Sequence, residues 1–177
     1  LAANECASQT DWVMSFGGTA NDKGIPIGTD SLGFIYCSGY FNNEATFGNI
    51  TLTNNNIGGN NKENFIFKMD SLGNVLWAIA GGNQSYSCCD DRALGMHVTT
   101  GGDIFITGTL WSTYNLGGLS VTQNLWGTAL NSHQNSLLAK IDKNGAPQWA
   151  IGFGSDNTAG GCPYPIYDAA DNSYDVK

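Results

Sequence analysis

Charge is scarce in this chain. Asp, Glu, Lys and Arg make up 12% of its 177 residues, about half the ~25% of an ordinary soluble domain. Bases are the scarcer sign: 7 Lys and Arg stand against 15 Asp and Glu, a net charge of −8 at pH 7. That sign repels phosphate backbones, and no basic patch with interleaved aromatics occurs, which argues against nucleic-acid binding. Long apolar runs are missing as well, so no membrane insertion is expected. Five cysteines occur without a Cys-x-x-Cys pair, against a zinc site or a thioredoxin-like motif. No Gly-x-Ser-x-Gly, His-Glu-x-x-His, phosphate-binding loop or Gly-x-Gly-x-x-Gly is present. The only histidines, His97 and His133, stand far apart in sequence with no second metal-type ligand at helical or hairpin spacing.

What is abundant is glycine and asparagine. Gly (24) and Asn (20) fill about a quarter of the chain. Both are poor helix formers and good turn formers, which excludes a helical bundle or coiled coil. A hydrophobic share of 41% is too high for a disordered chain. The composition is that of an all-β, loop-rich protein.

Internal repetition is the strongest signal. Asn64 to Trp77 aligns without a gap on Ser136 to Trp149, with Lys, Asp, Gly and Trp at the same four places. Gly33 to Gly39 aligns on Gly102 to Gly108, and Thr46 to Thr53 on Asn115 to Thr122. Trp12, Trp77 and Trp149 keep one phase, 65 and 72 residues apart. They divide the single segment 1–177 into units 12–76, 77–148 and an incomplete 149–177. The short apolar runs Phe65 to Met69 and Leu137 to Ile141 each end in Asp-x-x-Gly, as does the stretch before Gly33. Asp at the head of such a turn accepts a backbone N–H, and Gly supplies the positive φ of a tight hairpin. Each unit therefore predicts about four strands, and a four-stranded antiparallel sheet in tandem is the pattern of a β-propeller blade. A β-sandwich is the alternative.

The order Trp…Gly-Gly, Asp-x-x-Gly-Phe-Ile-Tyr-x-x-Gly, Phe-Gly, then Lys-x-Asp-x-x-Gly-Asn-x-Leu-Trp resembles the SBBP-type β-propeller repeats of large secreted and surface proteins, notably of Bacteroidetes. The resemblance rests on Asp30 to Gly39, Asn64 to Trp77 and Trp77 to Gly82, and covers nearly all of residues 12 to 177. Gly81-Gly82 stands one residue early relative to Gly17-Gly18, and residues 109 to 134 carry extra loop sequence. The resemblance implies a repeat scaffold of binding or structural type and brings no catalytic set. A ring of at least four such units needs roughly 260 residues; this chain holds about two and a half, so further blades or other copies are the expected partners. Leu1 in place of Met reads as a processed chain or a fragment.

Candidate sites each carry a bland alternative. Asn49 and Asn83 head Asn-x-Ser/Thr glycosylation sequons, against chance in an Asn-rich chain. Ser31 and Ser71 lie in Asp-Ser-Leu, which looks like the Asp-Ser/Thr-apolar motif that Bacteroidetes O-glycosylate. The alternative there is plain turn chemistry, since Lys143 holds the matching place. Cys6, Cys88, Cys89 and Cys162 are disulfide candidates of open connectivity, and Cys37, in an apolar strand, reads as a buried thiol. Trp111, Tyr114 and Trp126 read either as a sugar platform or as packing over a sheet edge. Trp12, Trp77 and Trp149 are expected in the core or between blades. Asp22, Asp90, Asp91, Asp156 and Asp168 offer Ca²⁺ ligands without the Asp-x-Asp-x-Asp-Gly spacing, so no cofactor is expected and solvated loops are favoured. These features point to a non-catalytic extracellular or cell-surface segment acting as scaffold, adhesin or fibre subunit. The alternatives are a glycan-binding module and, more weakly, a polysaccharide-active enzyme.

Overall fold

Two segments of this chain fold into the same four-stranded antiparallel sheet. The computed structural model describes residues 12–54, 62–82, 92–110, 113–122, 135–153, 166–168 and 173–175. The first sheet, four strands that two further strands extend to six, is built from β1 (Lys23–Thr29), β2 (Ile35–Phe41), β5 (Glu63–Met69) and β6 (Val75–Gly82), paired in the order β1-β2-β5-β6. The second uses β7 (Ala93–Val98), β8 (Ile104–Leu110), β11 (Asn135–Ile141) and β12 (Pro147–Phe153), in the order β7-β8-β11-β12. Between its second and third strands each unit inserts a hairpin, β3 (Glu44–Phe47) with β4 (Ile50–Thr53) and β9 (Thr113–Leu116) with β10 (Leu119–Thr122). These hairpins exceed the four strands expected per unit; their Phe-Gly and Leu-Gly turns lack the Asp that marks the others. A short pair, β13 (Ile166–Asp168) and β14 (Ser173–Asp175), follows. Among the described residues no helix occurs.

The Asp-x-x-Gly turns form as their chemistry requires. One carboxylate oxygen of Asp70 accepts N–H bonds from Leu72 and Asn74, both at 2.9 Å, and Gly73 closes the turn onto the Asp70 carbonyl at 3.1 Å. Asp30 and Asp142 repeat this on Leu32 and Phe34, and on Asn144 and Ala146. Gly33, Gly73 and Gly145 have φ of 82°, 88° and 85°, a region where an L side chain costs about 1–2 kcal/mol. Opposite each second turn the sheets bulge alike, Lys68 facing Trp77 and Met69 facing Val75, Lys140 facing Trp149 and Ile141 facing Pro147.

Alternation along the strands gives each sheet two faces. One face of the first sheet, its front, presents Tyr36, Ile66, Ile79 and Trp77; the other, its back, presents Cys37, Phe65, Phe67 and Ala78. The front of the first sheet packs on the back of the second, so that Tyr36 and Ile66 share a core with Ile104, Ile106, Ala139 and Ile141. The back of the first sheet closes over Phe41, Ala45 and Phe47 and over Phe16 from the segment ahead of β1. The hairpin β9–β10 ties the sheets together, because Gly81 and Gly82 of β6 pair with Leu116 and Asn115 of β9.

Candidate functional site

The interface between the sheets is where the ionisable side chains gather. Asp30 heads the first turn, and its second carboxylate oxygen accepts the Tyr36 hydroxyl at 2.9 Å. Lys68 lies in the same row as Tyr36, its ammonium 4.0 Å from that oxygen and 4.1 Å from the centre of the Phe34 ring. It also donates to the Lys143 carbonyl of the second sheet at 3.3 Å. Burial tends to raise the Asp30 carboxyl, but hydrogen bonds from Tyr36, Phe34 and Leu32 and the Lys68 charge outweigh it and hold the group below its ordinary value. Burial and the Asp30 charge push the Tyr36 phenol upward. Burial lowers Lys68, with Asp30 opposing it and Lys143 adding to it. Within this cluster Asp30, Tyr36 and Lys68 pair with one another, and Lys68 carries the hydrogen bond that crosses to the second sheet.

The recurring tryptophans make a second kind of joint. Trp77 donates its indole N–H to the carbonyl of Lys143, 3.2 Å away, inside the Asp142–Gly145 turn of the second sheet. Its ring lies so close over Gly145 that a Cβ there would approach it to 2.8 Å. Trp12 donates to the carbonyl of Ser71, 2.9 Å away, at the same place in the Asp70–Gly73 turn. The three tryptophans expected in the core or between blades differ in burial. Trp77 is half-buried between the sheets, whereas Trp12 and Trp149 are 36% and 38% exposed. Their period reflects a contact made on the next sheet, and Trp149 has no such sheet among the described residues.

Of the two readings open for Tyr114, its surroundings fit packing and not a sugar platform. It is fully buried in the inter-sheet core and its hydroxyl accepts from the Asn64 amide at 3.0 Å, so it presents no face to a sugar. Trp111 and Trp126 lie outside the described residues, as do Asn83, Cys6, Cys88, Cys89, Cys162, Asp90, Asp91, Asp156 and His133. Asn49 is exposed at the β3–β4 turn. Ser31 is exposed as a residue, but its hydroxyl donates to the Thr100 carbonyl at 2.8 Å, across to the second sheet. Ser71 is exposed beside its Trp12 contact. Cys37 is a free, partly buried thiol, pushed up to about 11 by burial. Asp22 is taken up by the backbone N–H groups of Gly18 and Asn42. Among the described residues no three His, Cys, Asp or Glu side chains gather where they would hold a metal ion.

One turn escaped the sequence reading. Thr99 to Gly102 folds like the Asp-x-x-Gly turns, with the Thr99 hydroxyl accepting from the Asp103 N–H at 3.0 Å and Gly102 bonding the Thr99 carbonyl at 2.9 Å. The signal was Gly102 aligned on Gly33, with Thr standing in for Asp as the acceptor. A cavity of about 150 Å³ lies behind the first sheet, lined by Phe16, Cys37, Phe47, Phe65 and Phe67. Comparison with known protein families and with characterised proteins finds no match to this chain.

Proposed function

We propose that this chain is a non-catalytic β-propeller repeat segment that serves outside the cell or at its surface as scaffold, adhesin or fibre subunit. The observation that carries the reading is the double cover of the first sheet. Its front closes on a second sheet of the same kind and its back on an aromatic cluster. A two-layer sandwich leaves each sheet one solvated face, whereas stacked blades cover both. Acidic, Lys-poor composition and the cysteines support an extracellular place, with further blades or copies of the chain as partners.

A glycan array and a polysaccharide turnover assay test the reading directly. The expected result is no specific binding and no turnover. Binding lost in Trp126→Ala would establish the sugar-binding alternative in its place, and turnover of any polysaccharide would overturn the non-enzyme assignment.

A further inference from the structure

The segment 12–17, here called the strap, docks on the first sheet in the manner of the last strand of a preceding sheet. Trp12 bonds the Ser71 carbonyl as Trp77 bonds that of Lys143. Five residues further on, Gly17 and Thr46 exchange backbone bonds of 3.1 and 3.0 Å, at the place where Gly82 of β6 pairs with Asn115 of β9. Two successive joints thus share one geometry, but the strap fills its joint thinly. Val13 is 99% exposed, no strand forms over 12–16, and besides Trp12 and Met14 over the Gly73 turn Phe16 anchors it, 5.0 Å from Phe67 and 6.1 Å from Phe47 between ring centres. The 150 Å³ cavity lies beside that ring.

Strand β12 carries the strap's own spacing. Trp149-Ala-Ile-Gly-Phe153-Gly154 matches Trp12-Val-Met-Ser-Phe16-Gly17 in the places of Trp, Phe and Gly, whereas β6 has Gly81 where the others have Phe. Unlike the strap, β12 is held in a full sheet. Its front side leaves Trp149 and Ile151 open, Ile151 at 50% exposure. No acceptor for the Trp149 indole is found among the described residues.

We propose that the front of the second sheet docks on the back of the first sheet of a second copy of this chain, with Trp149 and Phe153 displacing Trp12 and Phe16 from their socket. Continuity with the existing joint argues for this occupant, because the back of the first sheet already accepts this Trp-x-x-x-Phe-Gly spacing. The contact is head to tail, front to back, and contacts of that kind build rings or strings. The strap acts as a placeholder that lowers the apparent affinity by holding the socket closed. The inference rests on the scaffold reading for its purpose and on the two joints for its geometry.

Sedimentation velocity of the full chain over a concentration series tests it, with far-UV circular dichroism to check folding of each variant. Association is expected to rise with concentration, to be abolished by Ile151→Glu and weakened by Trp149→Ala. In the strap variant Trp12→Ala/Phe16→Ala it should strengthen about tenfold or more, as the competing placeholder is removed. If that variant fails to fold, a peptide of residues 147–154 added to the unaltered chain gives the same test by inhibiting association. Folded chain that stays monomeric throughout, or association that ignores Ile151→Glu, overturns the proposal. Glycan binding or turnover would sink the scaffold reading and leave these sedimentation results as they are, so the two failures are distinguishable.

Discussion

Ile66 and Leu138 hold the same place in the third strand of their sheets, and Tyr36, Lys68 and Trp77 correspond to Phe105, Lys140 and Trp149 along the adjoining row. Ile66 is fully buried and Leu138 is not. Lys68 is nearly closed off from solvent, whereas Lys140 pairs with Asp103 at 2.7 Å with 28% and 37% of the two side chains exposed. Similar residues on the same strand row thus end in a core or at a surface according to whether another sheet lies over them. In a repeat fold, stability is the sum of what each unit has alone and what each neighbour adds. These matched pairs separate the two contributions.

The largest effect is expected in the third strand. Ile66→Ala should cost about 3–4 kcal/mol and Leu138→Ala about 1 kcal/mol, since only the first leaves a cavity in packed surroundings. Urea unfolding of both variants measures the difference directly. Equal losses would mean that the front of the second sheet is covered as thoroughly as that of the first. The tryptophans should follow the same order with smaller steps. Trp77→Ala should cost about 2–3 kcal/mol and Trp149→Ala less than about 1 kcal/mol. A Trp149 loss that grows with protein concentration would sharpen the comparison, because the missing cover would then be arriving from another copy.

A third pair isolates the ring from the turn beneath it. Gly33 and Gly145 share their positive φ, 82° and 85°, but a Cβ on Gly33 meets open space and one on Gly145 meets the Trp77 ring. Gly33→Ala should therefore cost about 1 kcal/mol from backbone strain alone. Gly145→Ala should cost about 1 kcal/mol more, and that excess should vanish in a Trp77→Ala background. An excess that survives the loss of Trp77 would show that the ring does not govern the site.

The contrast also explains what could be read in advance. The turns of Asp30, Asp70 and Asp142 were legible because Asp accepts the bonds and Gly, three residues on, supplies the positive φ. All-β character followed from composition and the strands flanking those turns from the same punctuation, whereas the hairpins β3–β4 and β9–β10, which lack it, did not. Burial of the tryptophans was not legible, because it depends on a neighbouring sheet and not on the strand that carries them. Tyr114 stood open between two readings for a related reason. Its place beside Trp111 in a long inserted stretch suggested a loop, while its alternation with Leu116 in β9 directs both into the core. The inter-sheet cluster of Asp30, Tyr36 and Lys68 was hidden too, since turn residue and strand residues meet there only after the sheet has formed.

The smallest expected effect is electrostatic and belongs to the first sheet alone. Asp30 is held below its ordinary value of 3.8, whereas its counterpart in the second sheet is Thr99, which has no charge to titrate. A carboxyl whose folded value is depressed binds its proton more readily when unfolded. Its contribution is therefore complete above pH 3.8 and is lost as the pH falls through the lower folded value. Asp30→Asn should cost about 1 kcal/mol at pH 7, because the amide still accepts N–H bonds but no longer offers a charge to Tyr36 and Lys68. The gap between the two proteins should close as both are taken well below pH 3.8. A Thr99→Val change, which removes an uncharged acceptor at the matching turn, should leave a loss that is the same at both ends of that range. A loss in Asp30→Asn that is equally flat would mean that the carboxylate works only as a turn former, and that its buried pairing with Lys68 contributes nothing to stability.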